Sequence, residues 1–168
     1  MFIMAAERDR ATDVGKSFRA YQQYLTANAR CFPQSAFTLA TSSWYYDASD
    51  HRCPHDGWLE ELRIEEPATG ERLAQRIITF RVRLLGAFHD GHIDLYYPRV
   101  FGYQLALESG EGGHRDWRYD EFRVNDKGHL LHEIEWAGPR ATGRWLIEAS
   151  DVELVWRPFQ TNDSITGA

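Results

Sequence analysis

Four ionisable residues, Glu60, Arg99, Asp120 and His132, occupy positions that we expect to face the interior of a folded sheet. A buried charge without a partner is costly, so each of these side chains needs a partner, a water molecule or a ligand. An Asp–His pair can orient an imidazole for general-base catalysis, and an arginine can hold an anionic group. Asp120 and His132 are therefore the catalytic candidates if the protein is an enzyme. Arg99 and Glu60 are candidates for ligand binding.

Three large aromatic residues, Tyr97, Trp58 and Trp136, fall on the same predicted inner face. Apolar walls with a few convergent polar groups are typical of a small-molecule site. We therefore expect these rings to form the walls of a pocket around the polar residues. The alternative is a buried ion network that stabilises the fold and binds nothing.

A polar loop at residues 50–56 offers a weaker candidate for a metal site. Alternate residues of an extended loop would place His51, Cys53 and His55 on one side, and zinc accepts such ligands. Their spacing matches no common zinc-finger pattern. We expect no bound metal here and no cofactor elsewhere.

The elements that position the inner residues begin with a hairpin whose turn has Asp90-Gly91 at its centre. This dipeptide is typical of a two-residue turn with positive φ angles. The turn predicts that Phe88 faces Ile93. Counting outward from that pair places Arg99 on an otherwise apolar face.

A second hairpin turns at residues 125–128, where Gly128 favours a three-residue loop with a bulge. A two-residue loop would instead mix apolar and charged side chains on both faces of the hairpin. The bulged turn predicts four inner pairs: Val124 with Leu130, Phe122 with His132, Asp120 with Ile134, and Arg118 with Trp136. Asp120 and His132 then lie diagonally, about 7–8 Å apart, within reach of each other's side chains.

The remaining pattern predicts one helix followed by strands. Apolar residues spaced by three and four indicate a helix near residues 9–29, and alternation with a period of two follows after Pro33. We expect strands near Ala36–Tyr46, Trp58–Glu66, Arg76–Phe88, His92–Leu107, Trp117–Val124, His129–Ala137 and Arg144–Trp156, the last with a bulge near Ser150. The predicted fold is mainly β, a single antiparallel barrel-like or sandwich domain of about seven strands with one N-terminal α-helix. It spans residues 1–160, with a frayed polar tail at 161–168.

Composition limits the classes of partner. The chain has 168 residues, 43% hydrophobic and 14% aromatic, which suits one well-packed domain. A net charge of −6 with scattered basic residues argues against nucleic acid as a partner. No stretch approaches the roughly 20 apolar residues of a membrane helix, and no signal peptide is visible. We therefore expect a cytoplasmic protein that does not bind membranes and whose Cys31 and Cys53 are free thiols.

These features predict a binding protein for a small, partly apolar, anionic molecule held inside a β-barrel-like pocket. One alternative is an enzyme that uses the same pocket, with His132 as general base and Asp120 orienting it. Another is a protein-interaction module, such as an inhibitor or an immunity protein, whose acidic surface meets a basic partner. The acidic residues expected on that surface are Glu60, Glu61, Glu65, Glu66, Glu121, Glu133 and Glu135.

Overall fold

A computed structural model describes residues 14–107, 112–138 and 141–160. The described part is mainly β, as the sequence predicted. Its helices are α1 (Val14–Asn28) and α2 (Gln34–Thr41), with a short 3-10 turn at Glu71–Leu73. Its strands are β1 (Trp58–Glu65), β2 (Ala68–Thr69), β3 (Gln75–Arg76), β4 (Ile78–Leu85), β5 (Gly91–Leu107), β6 (Asp116–Val124), β7 (Leu130–Gly138), β8 (Ala141–Ala149) and β9 (Glu153–Pro158).

One antiparallel sheet contains seven of these strands in the order β4-β1-β6-β7-β8-β5-β9, and β4 also pairs with β5. The extra pairing joins the sheet into a ring of hydrogen-bonded neighbours. Strand β5 makes this possible because its first half pairs with β4 and β9, whereas its second half pairs with β8. The predicted last strand is therefore two strands, β8 and β9, which separate close to the expected bulge at Ser150.

The interior of the ring is filled by apolar side chains that alternate along each strand, as the period of two predicted. At most 1% of each of these side chains is exposed on β4 and β5: Phe80, Val82, Leu84, Ile93, Leu95 and Tyr97. Full burial stabilises the fold by about 1.5–3 kcal/mol for each large apolar side chain.

Helix α1 docks on the edge of β6, whose ladder with β1 consists of the Trp58–Asp116 pair. The Tyr21 hydroxyl accepts the Phe122 N–H at 2.8 Å and donates to the Phe122 carbonyl at 2.9 Å. The Tyr24 hydroxyl accepts the N–H of Val124 in the same way at 3.0 Å. The tyrosine hydroxyls thus form hydrogen bonds with backbone groups of β6 that would otherwise bond to a neighbouring strand. The helix predicted at 9–29 is confirmed over Val14–Asn28, and residues 9–13 lie outside the described ranges.

The strand predicted at Ala36–Tyr46 is wrong, because the chain forms helix α2 there and then a turn. The Asp151 carboxylate accepts the N–H groups of Ser35 and Ala36 at 3.1 and 2.9 Å, so a residue far along the chain satisfies free amides at the start of the helix. A short apolar run of this kind fits both the helical period of about 3.6 residues and the strand period of two. Here the contact with Asp151 favours the helix.

The register predicted for the first hairpin is also wrong. Ile93 pairs with Leu84, and Gly86 N–H donates to Gly91 O at 3.0 Å, so the loop contains four residues. The ring of Trp156 lies against both glycines, where any side chain would collide with it. The shift from the predicted register is four residues, an even number, so the inner face keeps the same residues up to Tyr97.

The register predicted for the second hairpin is confirmed for three of its four pairs, namely Val124 with Leu130, Phe122 with His132, and Asp120 with Ile134. The pairing of Arg118 with Trp136 is wrong. A bulge between Trp117 and Tyr119 brings Trp117 opposite Trp136 and turns Arg118 to the surface.

Candidate ligand-binding site

Asp120 and His132 lie inside the ring, on neighbouring strands of the β6–β7 hairpin. Their strand partners are Ile134 and Phe122, so the two residues are diagonal neighbours. His132 Nε2 lies 3.0 Å from Asp120 Oδ2. His132 is 0% exposed and Asp120 is 5% exposed. The structure thus places both side chains on the core face, as their register predicted.

Three further buried side chains complete a hydrogen-bonded network around this pair. The Tyr45 hydroxyl donates to Asp120 Oδ2 at 2.8 Å, and the Trp117 indole donates to Oδ1 at 2.9 Å. The Tyr97 hydroxyl lies 2.7 Å from His132 Nδ1. The Asp120 carboxylate therefore has three protein partners, which compensates for its removal from water.

The protonation of the network follows from its tyrosines. Burial, reinforced by the negative charge of Asp120, holds the pKa of Tyr97 well above its ordinary value. The phenol therefore keeps its proton, and its oxygen is hydrogen-bonded to His132 Nδ1. A carboxylate can only accept, so the Nε2–H of His132 donates to Asp120. Both ring nitrogens of His132 are thus engaged by protein groups.

Arg99 faces solvent, which corrects the expectation that it lies inside. Between Tyr97 and Val100, strand β5 contains one residue more than the strand β4 beside it. This bulge turns Val100 inward, where it is 4% exposed, and turns Arg99 outward. The Arg99 guanidinium lies 5.2 Å over the ring of Phe101 on the surface.

Glu60 and Trp58 are also on the outside, and the reason is similar. A bulge after Leu59 shifts the alternation of β1. As a result Leu59 packs against the core, whereas its neighbours Trp58 and Glu60 do not. Glu60 is exposed and lies 2.9 Å from His92. Trp58 is 48% exposed and cannot serve as an inner wall.

The three weak metal candidates do not converge. His51 Nδ1 lies 2.5 Å from a carboxylate oxygen of Asp90, and His55 lies beside a different carboxylate. Cys53 is buried, its thiol donates to a backbone carbonyl, and burial raises its pKa to about 12. Within the described ranges, no group of three His, Cys, Asp or Glu residues could hold a metal ion.

A pair of buried tryptophans on β7 and β8 contains hydrogen-bond donors without acceptors. Trp136 and Trp145 are 0% and 1% exposed, with ring centroids 5.0 Å apart. Neither indole N–H has a hydrogen-bond partner in the part of the chain that the structure describes. The half-buried ring of His114 packs on both tryptophans at 5.2 and 5.1 Å. Burial lowers the pKa of His114, which favours a neutral imidazole.

Next to these tryptophans the inner face of the ring opens to solvent. Along β5 the inward side chains pass from Tyr97 and Val100, at 0% and 4% exposure, to Tyr103 and Leu107, at 46% and 38%. Leu105, between the last two, pairs with Trp145 across the β5–β8 ladder. This end of the ring therefore presents apolar side chains to water beside two unpaired indole N–H groups.

Sequence reasoning missed Trp145 and His114 as site residues. Trp145 pairs with Ile134 and belongs to an alternation that continues at Ile147 and Ala149. That alternation is visible in the sequence, but no turn fixed its register. His114 lies in a glycine-rich loop that has no periodic signal.

No family model, curated protein or solved structure matches this chain. In the described ranges, no helix has the length and hydropathy needed to cross a membrane.

Proposed function

We propose that this protein binds a small, partly apolar molecule inside the ring of strands, at the open end between β5, β7 and β8. The observation that carries the proposal is the pair of buried, unpaired indole N–H groups of Trp136 and Trp145 beside the exposed inner residues of β5. Buried polar groups are almost always hydrogen-bonded, so two indole N–H groups that lack a partner among the described residues suit a ligand that carries a hydrogen-bond acceptor. Tyr103 and Leu107 supply apolar surface for the rest of the molecule.

The Asp120–His132 network forms part of the wall of this site and does not supply reactive groups. Trp117 connects the two regions, because its N–H donates to Asp120 and its ring centroid lies 5.2 Å from that of Trp136. The enzyme alternative needs a free nitrogen on His132, and Tyr97 and Asp120 engage both. This geometry favours binding over general-base catalysis.

The alternative of an acidic interaction surface has less support. Glu121 and Glu133 are 0% and 4% exposed, and both pair with Arg123. Glu61 and Glu65 are also paired with arginines, at 3.1 and 3.8 Å. Compensated carboxylates of this kind attract a basic partner weakly, because their charge is already neutralised nearby.

Fluorescence of 1-anilinonaphthalene-8-sulfonate tests the proposed function. We expect saturable enhancement with one probe per chain. The variant Leu105→Trp should abolish it by filling the opening, whereas Gln104→Trp, on the outer face of the same strand, should not. Circular dichroism would check that both variants fold. Equal binding by the two variants, or no binding by the wild type, would contradict the proposal.

A further inference from the structure

We propose that the ligand is an acid, whose anionic group is bound by the indole N–H groups of Trp136 and Trp145 with Arg115 as the cation at the rim. This inference rests on the proposed function, since it names the class of molecule that the open end of the ring takes. Arg115 thereby takes the role of positively charged ligand-binding residue that the sequence analysis gave to Arg99, which lies outside the ring.

The tryptophan pair selects for an acceptor. An indole N–H can only donate, so the complementary ligand atoms must accept hydrogen bonds. The two residues sit diagonally on adjacent strands, because Trp136 pairs with Gly143 and Trp145 with Ile134. Gly143 leaves space beside Trp136, as a Cβ at Gly143 would already lie 3.4 Å from the Trp136 Cβ. Their ring centroids lie 5.0 Å apart, so the two donors belong to one cluster, and we propose that the paired oxygens of a carboxylate accept from both. Hydrogen bonds to charged acceptors are the stronger kind.

Arg115 supplies a positive charge at the same end of the ring. Its aliphatic stem crosses Gly138, where an added Cβ would lie 2.5 Å from the Arg115 Cγ. Gly138 is two residues beyond Trp136 on β7 and therefore shares its inner face. Arg115 is exposed and forms no ion pair in the described ranges, whereas Arg83 and Arg157 are both bonded to Asp94. A guanidinium at a rim with no ion pair to a described residue suits recognition of an anion.

Asp120 places a negative charge next to Trp117, whose ring packs on Trp136. Its carboxylate accepts hydrogen bonds from Tyr45 and Trp117 and is bonded to His132. These dipoles reduce its repulsion of a second anion. The neighbouring His114 has an N–H of its own to donate towards the bound group.

The test compares two probes with the same chain, decanoate and decanol, by isothermal titration calorimetry on the full chain. We expect decanoate to bind at least tenfold more tightly than decanol. Arg115→Gln should weaken decanoate about tenfold and leave decanol unchanged. Trp136→Phe and Trp145→Phe keep one aromatic ring but remove the N–H and part of the indole, and each should weaken decanoate by roughly ten- to a hundredfold. Arg118→Gln, at an exposed arginine paired with Asp56 on the outer surface, is the matched charge control.

The outcomes separate the inference from the proposed function. Equal affinity for decanoate and decanol, or decanoate binding that is unaffected by Arg115→Gln and by both tryptophan variants, would overturn the inference and leave the proposed function standing. Failure of both probes to bind the wild type would overturn the two together. Arg115 is exposed, so Arg115→Gln is expected to fold and keeps the test valid if a tryptophan variant does not.

Discussion

Asp120 and His132 hydrogen-bond at 3.0 Å in the interior of the ring of strands, and in the described part of the chain neither forms an ion pair with any other residue. The carboxylate is also held by Tyr45 and Trp117, and the imidazole by Tyr97. A network in which the polar atoms partner each other stabilises one arrangement of the core. Its members are therefore expected to affect stability more than ligand affinity.

Asp120→Ala should lower the free energy of unfolding by about 3–5 kcal/mol, because it leaves three buried donors without their acceptor. Denaturation by urea, followed by circular dichroism, measures this change. Asp126→Ala, in the exposed turn of the same hairpin, is the control and should alter stability by less than about 0.5 kcal/mol. A similar small change for Asp120→Ala would show that the network is not structural.

Stability should fall steeply above pH 10. Burial raises the pKa values of Tyr21, Tyr45, Tyr46 and Tyr97 above the ordinary value of about 10. Between pH 10 and these raised pKa values, the unfolded chain releases tyrosine protons that the folded chain keeps. Unfolding is thereby favoured by up to about 1.4 kcal/mol per tyrosine for each pH unit. The stabilisation is fully present below pH 10 and is lost as pH rises.

Absorbance at 295 nm measures this ionisation directly. The buried tyrosines should ionise only together with unfolding. Gradual ionisation of all the tyrosines near pH 10, without loss of structure, would contradict the prediction.

Trp145→Phe should destabilise the ligand-free protein less than Trp117→Phe, because both changes leave a similar cavity but the Trp145 N–H has no acceptor among the described residues. Trp117→Phe should lower the free energy of unfolding by about 1–3 kcal/mol more, because Asp120 then loses a hydrogen bond. The two variants delete the same atoms from rings of equal burial. Differential scanning fluorimetry compares them, and equal destabilisation would show that the Trp145 N–H is satisfied.

Gly91→Ala should destabilise the first hairpin by about 1–3 kcal/mol. A Cβ at this position would lie 2.6 Å from the Arg157 carbonyl oxygen and would also strike the ring of Trp156. The control is Gly102→Ala on the same strand, where the nearest atom would be 3.7 Å away. Thermal unfolding of both variants measures the difference. Equal melting temperatures would mean that β9 moves away at little cost.

Part of the site was determined by local sequence. Alternation along β7 places His132, Ile134 and Trp136 on one face, and the turn that ends in Gly128 sets their partners on β6. These signals suffice because a register error of one residue would bury charges, so the hydrophobic pattern itself selects the pairing. The contact between Asp120 and His132 followed from that register alone.

The rest depended on the tertiary structure, because it involves residues distant in sequence. The bulges after Leu59 and Tyr97 reverse which side chains face inward, and they moved Glu60, Trp58 and Arg99 to the surface. A bulge is defined by the pairing with the strand beside it, so the sequence of one strand does not establish where it lies. The unpaired state of the Trp136 and Trp145 indoles likewise depends on every group packed around them, and only the folded arrangement of the strands decides it.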